Sequence, residues 1–396
     1  MTGARPSGLI RDPRSSSRST LLELLLDVFY IATFAQLSMQ LARDLSWRGL
    51  ANTVILLLAA WWTWSVIAIA TDFFDPRERV IQRVLATGML GVGLMAAAIP
   101  SAFAEHGLLF AGAYVGIHLA RGLMLVRALR GHFAQLRVKL FLFWFAFSGL
   151  LWLAGALTDP ELRRALWAAA LAIEYIVAAL RFPTPGLGRV PLEQYDRLTP
   201  HFGERYQQIA ILVIGDLVLA STLVIGDLVL ASTLKLSILG FATARVVIFL
   251  AAIAAALLLW QIYVFRTELL VERSVRRHPR RAVRLAPYVY VVLVAGVIAT
   301  TAGVDLALAE PFGSTHSGLV ALVVGGSFLF LLGRVIFEYE LLDRLSRSRI
   351  GWLVLMIAVM PALKLLAPIF VVIVNAGILF GVTRTDAWRG RRDAAA

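Results

Sequence analysis

Residues 21–41 read LLELLLDVFYIATFAQLSMQL, an apolar run interrupted by two acids, Glu23 and Asp27. As a helix rising 1.5 Å per residue it extends about 30 Å, the thickness of a bilayer's hydrocarbon core. It is too long for the apolar region of a signal peptide, and no small-residue cleavage site ends it. Outward from this stretch the pattern repeats, with apolar blocks at about 51–72, 84–103, 107–129, 140–157, 163–181, 207–234, 238–265, 286–309, 318–339, 350–365 and 367–382. The chain therefore reads as all-α, a polytopic transmembrane helical bundle of about 12 spans. The last two blocks are short, and a single segment kinked at Pro361 or Pro368 is the alternative.

Composition points the same way. Across 396 residues, 59% are apolar and 16% charged, with a mean hydropathy of +0.79, against globular averages of about 45–50% and 25%. Such a chain needs lipid as its solvent, which excludes a soluble enzyme. The absence of cysteine removes disulfides, thiolate metal sites and thiol chemistry.

A net charge of +13 invites a nucleic-acid partner, but the positive residues fall mostly in alternate loops, the orientation signal of an inner-membrane protein. With a cytoplasmic N-terminus, the inside loops carry Arg77, Arg79 and Arg83; Arg127, Arg130, Arg137 and Lys139; Arg189, Arg197 and Arg205. The last two inside loops hold seven arginines from Arg266 to Arg284, and then Arg344, Arg347 and Arg349. Arg43, Arg48, Arg163, Arg164, Lys235 and Lys364 are the exceptions outside. Both termini then lie in the cytoplasm and the span count is even, which favours twelve over eleven.

Residues 1–20, polar and arginine-bearing, read as a disordered cytoplasmic tail, and 383–396 as a second tail. Between them, residues 21–182 form a first set of six spans, 183–206 a cytoplasmic loop and 207–382 a second set. A faint echo at offsets near 200 residues suggests two halves of parallel topology. A recent duplication is plain: LVIGDLVLAST occupies 212–222 and again 223–233. Eleven residues turn a helix by about three full turns plus 20°, so the outward face is kept while the length grows. The enlarged span must tilt, break at Gly215 or Gly226, or project beyond the membrane.

Ionisable groups in hydrocarbon cost about 2.5–3.5 kcal/mol each, so each requires a partner or a task. The spans carry Glu23, Asp27, His118, Arg121, Glu174, Asp216, Asp227, Arg334 and Glu338, which are the candidate substrate- or ion-binding residues, with Arg245 and Asp305 beside them. Glu23 and Asp27 are four apart, on one helical face, where two carboxylates repel unless cations meet them. Arg121 and Arg334, a bound cation, or a shared proton are the candidate answers. Thr20 and Glu23 form a capping-box pattern, so Glu23 has a structural reading as well. Arg334 with Glu338, and His118 with Arg121, have the spacing of local pairs. Trp61, Trp62 and Trp64 read as packing or an aromatic belt.

No phosphate loop, metal-binding motif or nucleophile elbow is present, and no cofactor is expected. The partners expected are the lipid bilayer and a proton, cation or small molecule, with no nucleic acid.

The stretch LLELLLDVFYIATFAQLS resembles the opening helix of the bacterial low-temperature-requirement A family. Further matching landmarks are WWTWSVIAIATDFFDP, the run MAAAIPSAFAEHGLLFAGAYVGIHLARGLMLVRALRG, HFGERY before an apolar helix with a Gly-acid pair, and YVYVVLVAGVIATTAGVDLALAEP. The resemblance covers nearly the whole chain. It implies a membrane protein and supplies no biochemical activity. The family has Gly-Glu where this chain has Gly215-Asp216, one methylene shorter and doubled at Gly226-Asp227.

Three function classes remain. In a transporter or ion-conducting protein, Asp27, Glu174 and Asp216 bind a proton or cation while Arg121 and Arg334 stabilise the empty state. In a membrane-embedded lipid-modifying enzyme, His118 with an acid is the general base. In a sensor or scaffold the ion pairs serve helix packing alone.

Overall fold

A computed structural model describes residues 9–11, 18–194, 200–233, 243–264, 279–342 and 346–395. Hydrocarbon offers no partner for a backbone N–H or C=O, so the apolar blocks close their hydrogen bonds within helices. Among the described residues there are twelve: α1 (Leu21–Arg43), α2 (Trp47–Phe73), α3 (Arg79–Ala98), α4 (Gly107–Ala128), α5 (Gln135–Ala156), α6 (Pro160–Ala179), α7 (Pro200–Thr233), α8 (Thr243–Val264), α9 (Pro279–Ala309), α10 (Ser317–Leu342), α11 (Arg347–Leu363) and α12 (Pro368–Ala395). Nine of these are long and apolar enough to cross a membrane. The fold is an all-helical, multi-pass membrane bundle.

The end of the chain is a pair of helices, not one kinked span. Leu363 and Pro368 bound a turn in which Leu365 N–H and Leu366 N–H donate to Ala362 and Leu363, and Pro368 opens α12 where its missing N–H costs nothing. Pro361 lies inside α11. The helix α12 continues to Ala395, past the apolar block that ends at 382.

The duplicated segment is continuous helix. Of the three ways to accommodate its length, a break at either glycine is not taken, because α7 runs unbroken from Pro200 to Thr233, about 51 Å at 1.5 Å per residue. It also begins seven residues before the apolar block that the sequence marks at 207.

The chain divides into two compact units. The first comprises Met1–Gln40, Trp47–Gln207 and Val275–Pro287. Here α3, α4, α5 and α6 pack each against the next, and α2 lies against α3, α4 and α6 with 83% of its apolar window buried. That places α2 at the centre, with Trp61 and Trp64 fully enclosed. Asp159 caps α6, accepting from the N–H groups of Glu161 and Leu162 ahead of Pro160 in the first turn. Leu9 to Arg11, which the sequence places in a disordered tail, meet the end of α2: Ile10 bridges Phe74, and Arg11 N–H donates to Phe73 O.

The second unit comprises Leu41–Ser46, Gln208–Ser274 and Tyr288–Ala396. In it α12 packs on α8, α10 and α11. The helices α9 and α10 approach to backbone contact at Gly296 and Gly326: a Cβ on Gly296 would stand 2.5 Å from Phe330 N, and one on Gly326 would stand 2.5 Å from Thr300 N. Small residues at such crossings replace the hydrophobic drive that lipid cannot supply.

Candidate functional site: a buried carboxylate pair and its cations

Thr20 and Glu23 build the first turn of α1 as a capping box. Thr20 N–H donates to Glu23 Oε2 at 2.8 Å, and Glu23 N–H donates to Thr20 Oγ1 at 3.3 Å. The other oxygen of Glu23 is free to look sideways, and His201 Nε2 lies 2.9 Å from Oε1. One turn further, Asp27 receives both arms of Arg205, with Nη1 to Oδ2 at 2.8 Å and Nη2 to Oδ1 at 2.7 Å. Trp64 Nε1 from α2 donates to Asp27 Oδ1 at 2.9 Å. Glu23, Asp27, His201 and Arg205 are each 0% exposed.

The matching is one of spacing. Two acids four apart on α1 meet two basic residues four apart on the first turns of α7, so the two ladders face each other rung for rung. Arg205 Nε also lies 3.9 Å from Glu23 Oε1, joining the rungs. An aromatic wall closes one side: Trp61 stacks on Trp64 at 4.9 Å, and Tyr206 meets both rings edge-on. Bidentate arginine and a desolvated setting make each contact strong, and they make an unbalanced charge there costly.

This arrangement corrects the partner expected from sequence. Arg205, counted there as a cytoplasmic loop charge, is a buried residue of α7 and binds Asp27; His201 meets Glu23. Arg121 lies instead on α4 over the Phe145 ring at 5.5 Å, and Arg334 belongs to the second unit. The physical reason is the early start of α7, which carries the polar turn 200–206 into the bundle. Trp64, read as packing, is a ligand of Asp27. The spacing His201–Arg205 inside HFGERY was the available signal.

Glu174 forms a second polar knot in the first unit. Tyr114 Oη donates to Oε2, while Ser148 Oγ at 2.6 Å and Trp152 Nε1 at 3.2 Å donate to Oε1. These three donors replace a cation around a buried acid. His118, one turn along α4 from Tyr114, stacks on Phe145 at 3.9 Å, and its Nε2 lies 3.4 Å from Thr63 Oγ1. No acid accompanies His118 among its described contacts, as general-base work would ask.

In the second unit Glu338 stands between two arginines, 2.5 Å from Arg349 Nη1 and 3.6 Å from Arg334 Nη2. Arg349 also donates to Asp386 Oδ2 through Nη2 at 2.6 Å and Nε at 3.1 Å, and Arg334 Nε donates to Ile262 O at 3.2 Å. Arg349, another arginine counted as a loop charge, is 2% exposed. Asp216 is buried within electrostatic reach of Asp305 on α9. The side chain of Asp227 lies outside the described residues. Arg245 donates to Leu308 O at 3.1 Å.

Within the first unit Glu23 stands with Asp27, and Glu174 has its own donors; within the second, Arg334 stands with Glu338 and Asp216 with Asp305. Among the described residues no three His, Asp or Glu are grouped to hold a metal ion.

The sequence was compared with known proteins. It is 28% identical over 330 residues, covering 82% of this chain and 78% of the relative, to the uncharacterized protein RA0937 of Rhizobium meliloti (strain 1021). No solved structure matches it. The model of the bacterial low temperature requirement A protein family matches residues 18–383, a range that takes in the Glu23–Asp27 ladder, its basic partners on α7, and Arg334, Glu338 and Arg349 but not Asp386. The chain belongs to the bacterial low temperature requirement A family of multi-pass membrane proteins.

Proposed function

We propose that the protein is a transporter or ion-conducting protein of the inner membrane, with both termini in the cytoplasm, and that the Glu23–Asp27–His201–Arg205 cluster takes up the coupling proton or cation. The observation that carries this reading is a charge count. Within the contacts described above, Glu23 and Asp27 contribute two negative charges, Arg205 one positive, and His201 none or one. With a neutral imidazole the buried cluster holds an excess negative charge, and one proton on His201, or one monovalent cation beside Glu23, cancels it. A low-dielectric site punishes the uncompensated state, so loading and unloading of one positive charge is the change to which this cluster responds most strongly.

Histidine suits the role because its imidazole can be neutral or carry one extra proton. Asp27, locked by Arg205 and Trp64, serves as the fixed counter-charge, while the Glu23–His201 pair is the exchangeable half. Glu204, half-buried on the same turn of α7, is engaged by Ser19 N–H at 3.1 Å and lies at the outer edge of this group. The arginine-rich loops favour the cytoplasmic placement of both termini.

The test is flux in proteoliposomes holding a pH-sensitive dye, driven by an imposed cation or proton gradient. Wild-type protein should show protein-dependent flux, and Asp27→Asn, checked for folding by gel filtration, should cut it at least tenfold. His201→Gln should remove the proton-linked component. Full flux from Asp27→Asn, or no flux from wild type under any gradient, would overturn the reading.

A further inference from the structure

Asp27 and Glu174 are both buried acids of the first unit, and their donors differ in kind. Asp27 takes hydrogen bonds from Arg205 Nη1 and Nη2 and from Trp64 Nε1, nitrogen donors that cannot accept, so its surroundings suit the charged carboxylate alone. Glu174, 2% exposed on α6, has one fixed donor, Trp152 Nε1 at 3.2 Å on Oε1, and two hydroxyls, Tyr114 Oη on Oε2 and Ser148 Oγ on Oε1 at 2.6 Å. A hydroxyl both gives and receives hydrogen bonds. Ser148 also has a second acceptor in reach, Phe145 O at 3.4 Å, three residues back on α5.

Charge sharpens the contrast. Arg205 cancels the charge of Asp27, whereas among the described residues no cation touches an oxygen of Glu174. The titratable groups around it are Tyr114, His118 and Arg121 on α4 and Tyr175 beside it on α6. His118 stacks on Phe145 with Nε2 toward Thr63 of α2, Arg121 lies over the Phe145 ring, and Tyr175 Oη donates to Leu58 O. The residues that α5 turns to the carboxylate, Ser148 and Trp152, carry no charge. A carboxylate held only by neutral donors in a dry interior keeps its charge uncancelled, and one proton removes that cost.

We propose that Glu174 is a second proton-binding site of the protein, taking up one proton from water on Oε1. The new O–H donates to Ser148 Oγ, and the Ser148 hydrogen, displaced from Oε1, turns to Phe145 O. Tyr114 continues to donate to Oε2, which becomes the carbonyl oxygen, and Trp152 Nε1 still faces a lone pair on Oε1. Each hydrogen of the knot has an acceptor in both states, and the net change is one positive charge gained. Release runs the same steps backward. This uptake is independent of whether the Glu23–His201 pair drives flux.

The test is infrared difference spectroscopy of the full chain in phospholipid vesicles as the buffer is made more acid. Wild type should gain a carbonyl band of a protonated carboxylic acid, lose it on return to alkaline buffer, and show it at lower frequency in heavy water. Glu174→Gln should lack that band. Tyr114→Phe, which removes the donor to the carbonyl oxygen, should move it to higher frequency. Should Glu174→Gln fail to fold, the displacement of the band in Tyr114→Phe makes the assignment in its place. A wild-type spectrum with no such band, a band that does not respond to pH, or one that persists unchanged in Glu174→Gln or in Tyr114→Phe would each overturn the proposal.

Discussion

Arg205 grips Asp27 with both arms of its guanidinium, at 2.7 and 2.8 Å, and both side chains are fully buried. Among the described residues neither has another charge so well aligned, and the two are 178 positions apart in the chain. The pair therefore fastens the start of α7 to α1.

Arg205→Ala leaves Asp27 as an uncompensated buried charge and should lower stability by about 3–5 kcal/mol. Arg205→Lys keeps the charge but loses the planar fork, so its loss should be smaller. The double substitution Asp27→Asn with Arg205→Gln removes both charges and should recover part of the loss. Thermal unfolding of the three variants in detergent measures this. Equal losses from the alanine and lysine variants would argue against the bidentate account.

Trp64→Phe keeps the ring stacked on Trp61 but deletes the Nε1 donor to Asp27. The expected cost is about 1 kcal/mol, the net worth of one hydrogen bond, because Arg205 Nη2 still donates to the same oxygen. Trp62→Phe is the control, since Trp62 Nε1 has no hydrogen-bond partner and its removal should change the melting temperature far less.

Glu174→Gln places an amide NH₂ where three donors converge, so one donor of Tyr114, Ser148 or Trp152 loses its acceptor. A loss of about 1–3 kcal/mol is expected. Glu174→Leu combined with Tyr114→Phe and Ser148→Ala strips most of the knot at once, and should cost less than Glu174→Leu alone. Melting temperatures of the single and triple variants decide this.

Gly296→Val drives a side chain into the Phe330 backbone and should destabilise by about 1–3 kcal/mol or more. Gly112→Ala meets no atom within 4 Å and should stay within about 0.5 kcal/mol of wild type. Comparable losses from both would show that α9 and α10 do not touch at Gly296.

Arg163 donates to five carbonyls, those of Ala102, Ala104, Gly155, Ala156 and Thr158. It fastens the α3–α4 connection to the α5–α6 connection. Arg163→Gln should lose on the order of 3 kcal/mol, because hydrogen bonds from a charged donor are worth about 1.5–3 kcal/mol each and the amide can replace few of them. Protease sensitivity of the two connections, compared with wild type, is the readout.

Lipid makes a span easy to see in sequence, since a helix in hydrocarbon must be apolar over about twenty residues. That is why the blocks and the helices coincide, and why Glu23 and Asp27 stood out. The limit lies at helix ends. His201 and Arg205 sit in a polar turn that a hydropathy reading assigns to a loop, yet α7 already begins at Pro200. Arginine deepens the problem, because its long stem lets one residue type serve as surface anchor or buried clamp. Arg137, Arg205 and Arg349 were counted as inside loop charges and are 6%, 0% and 2% exposed. Arg163, an exception to the loop rule, is explained by the carbonyls it serves. Which indole of the Trp cluster meets Asp27 depends on the rotation of α2 against α1, which spacing within one helix does not reveal.

Glu23 divides its two oxygens between two duties, one closing the first turn of α1 and the other facing His201. Electrostatics and local winding are thereby tied to a single rotamer. Whatever draws the imidazole away also frees the carboxylate to pivot, and the opening coil of the helix slackens with it. Thr20 and Ser19, whose N–H groups are held by Glu23 and Glu204, are the residues that feel this release first.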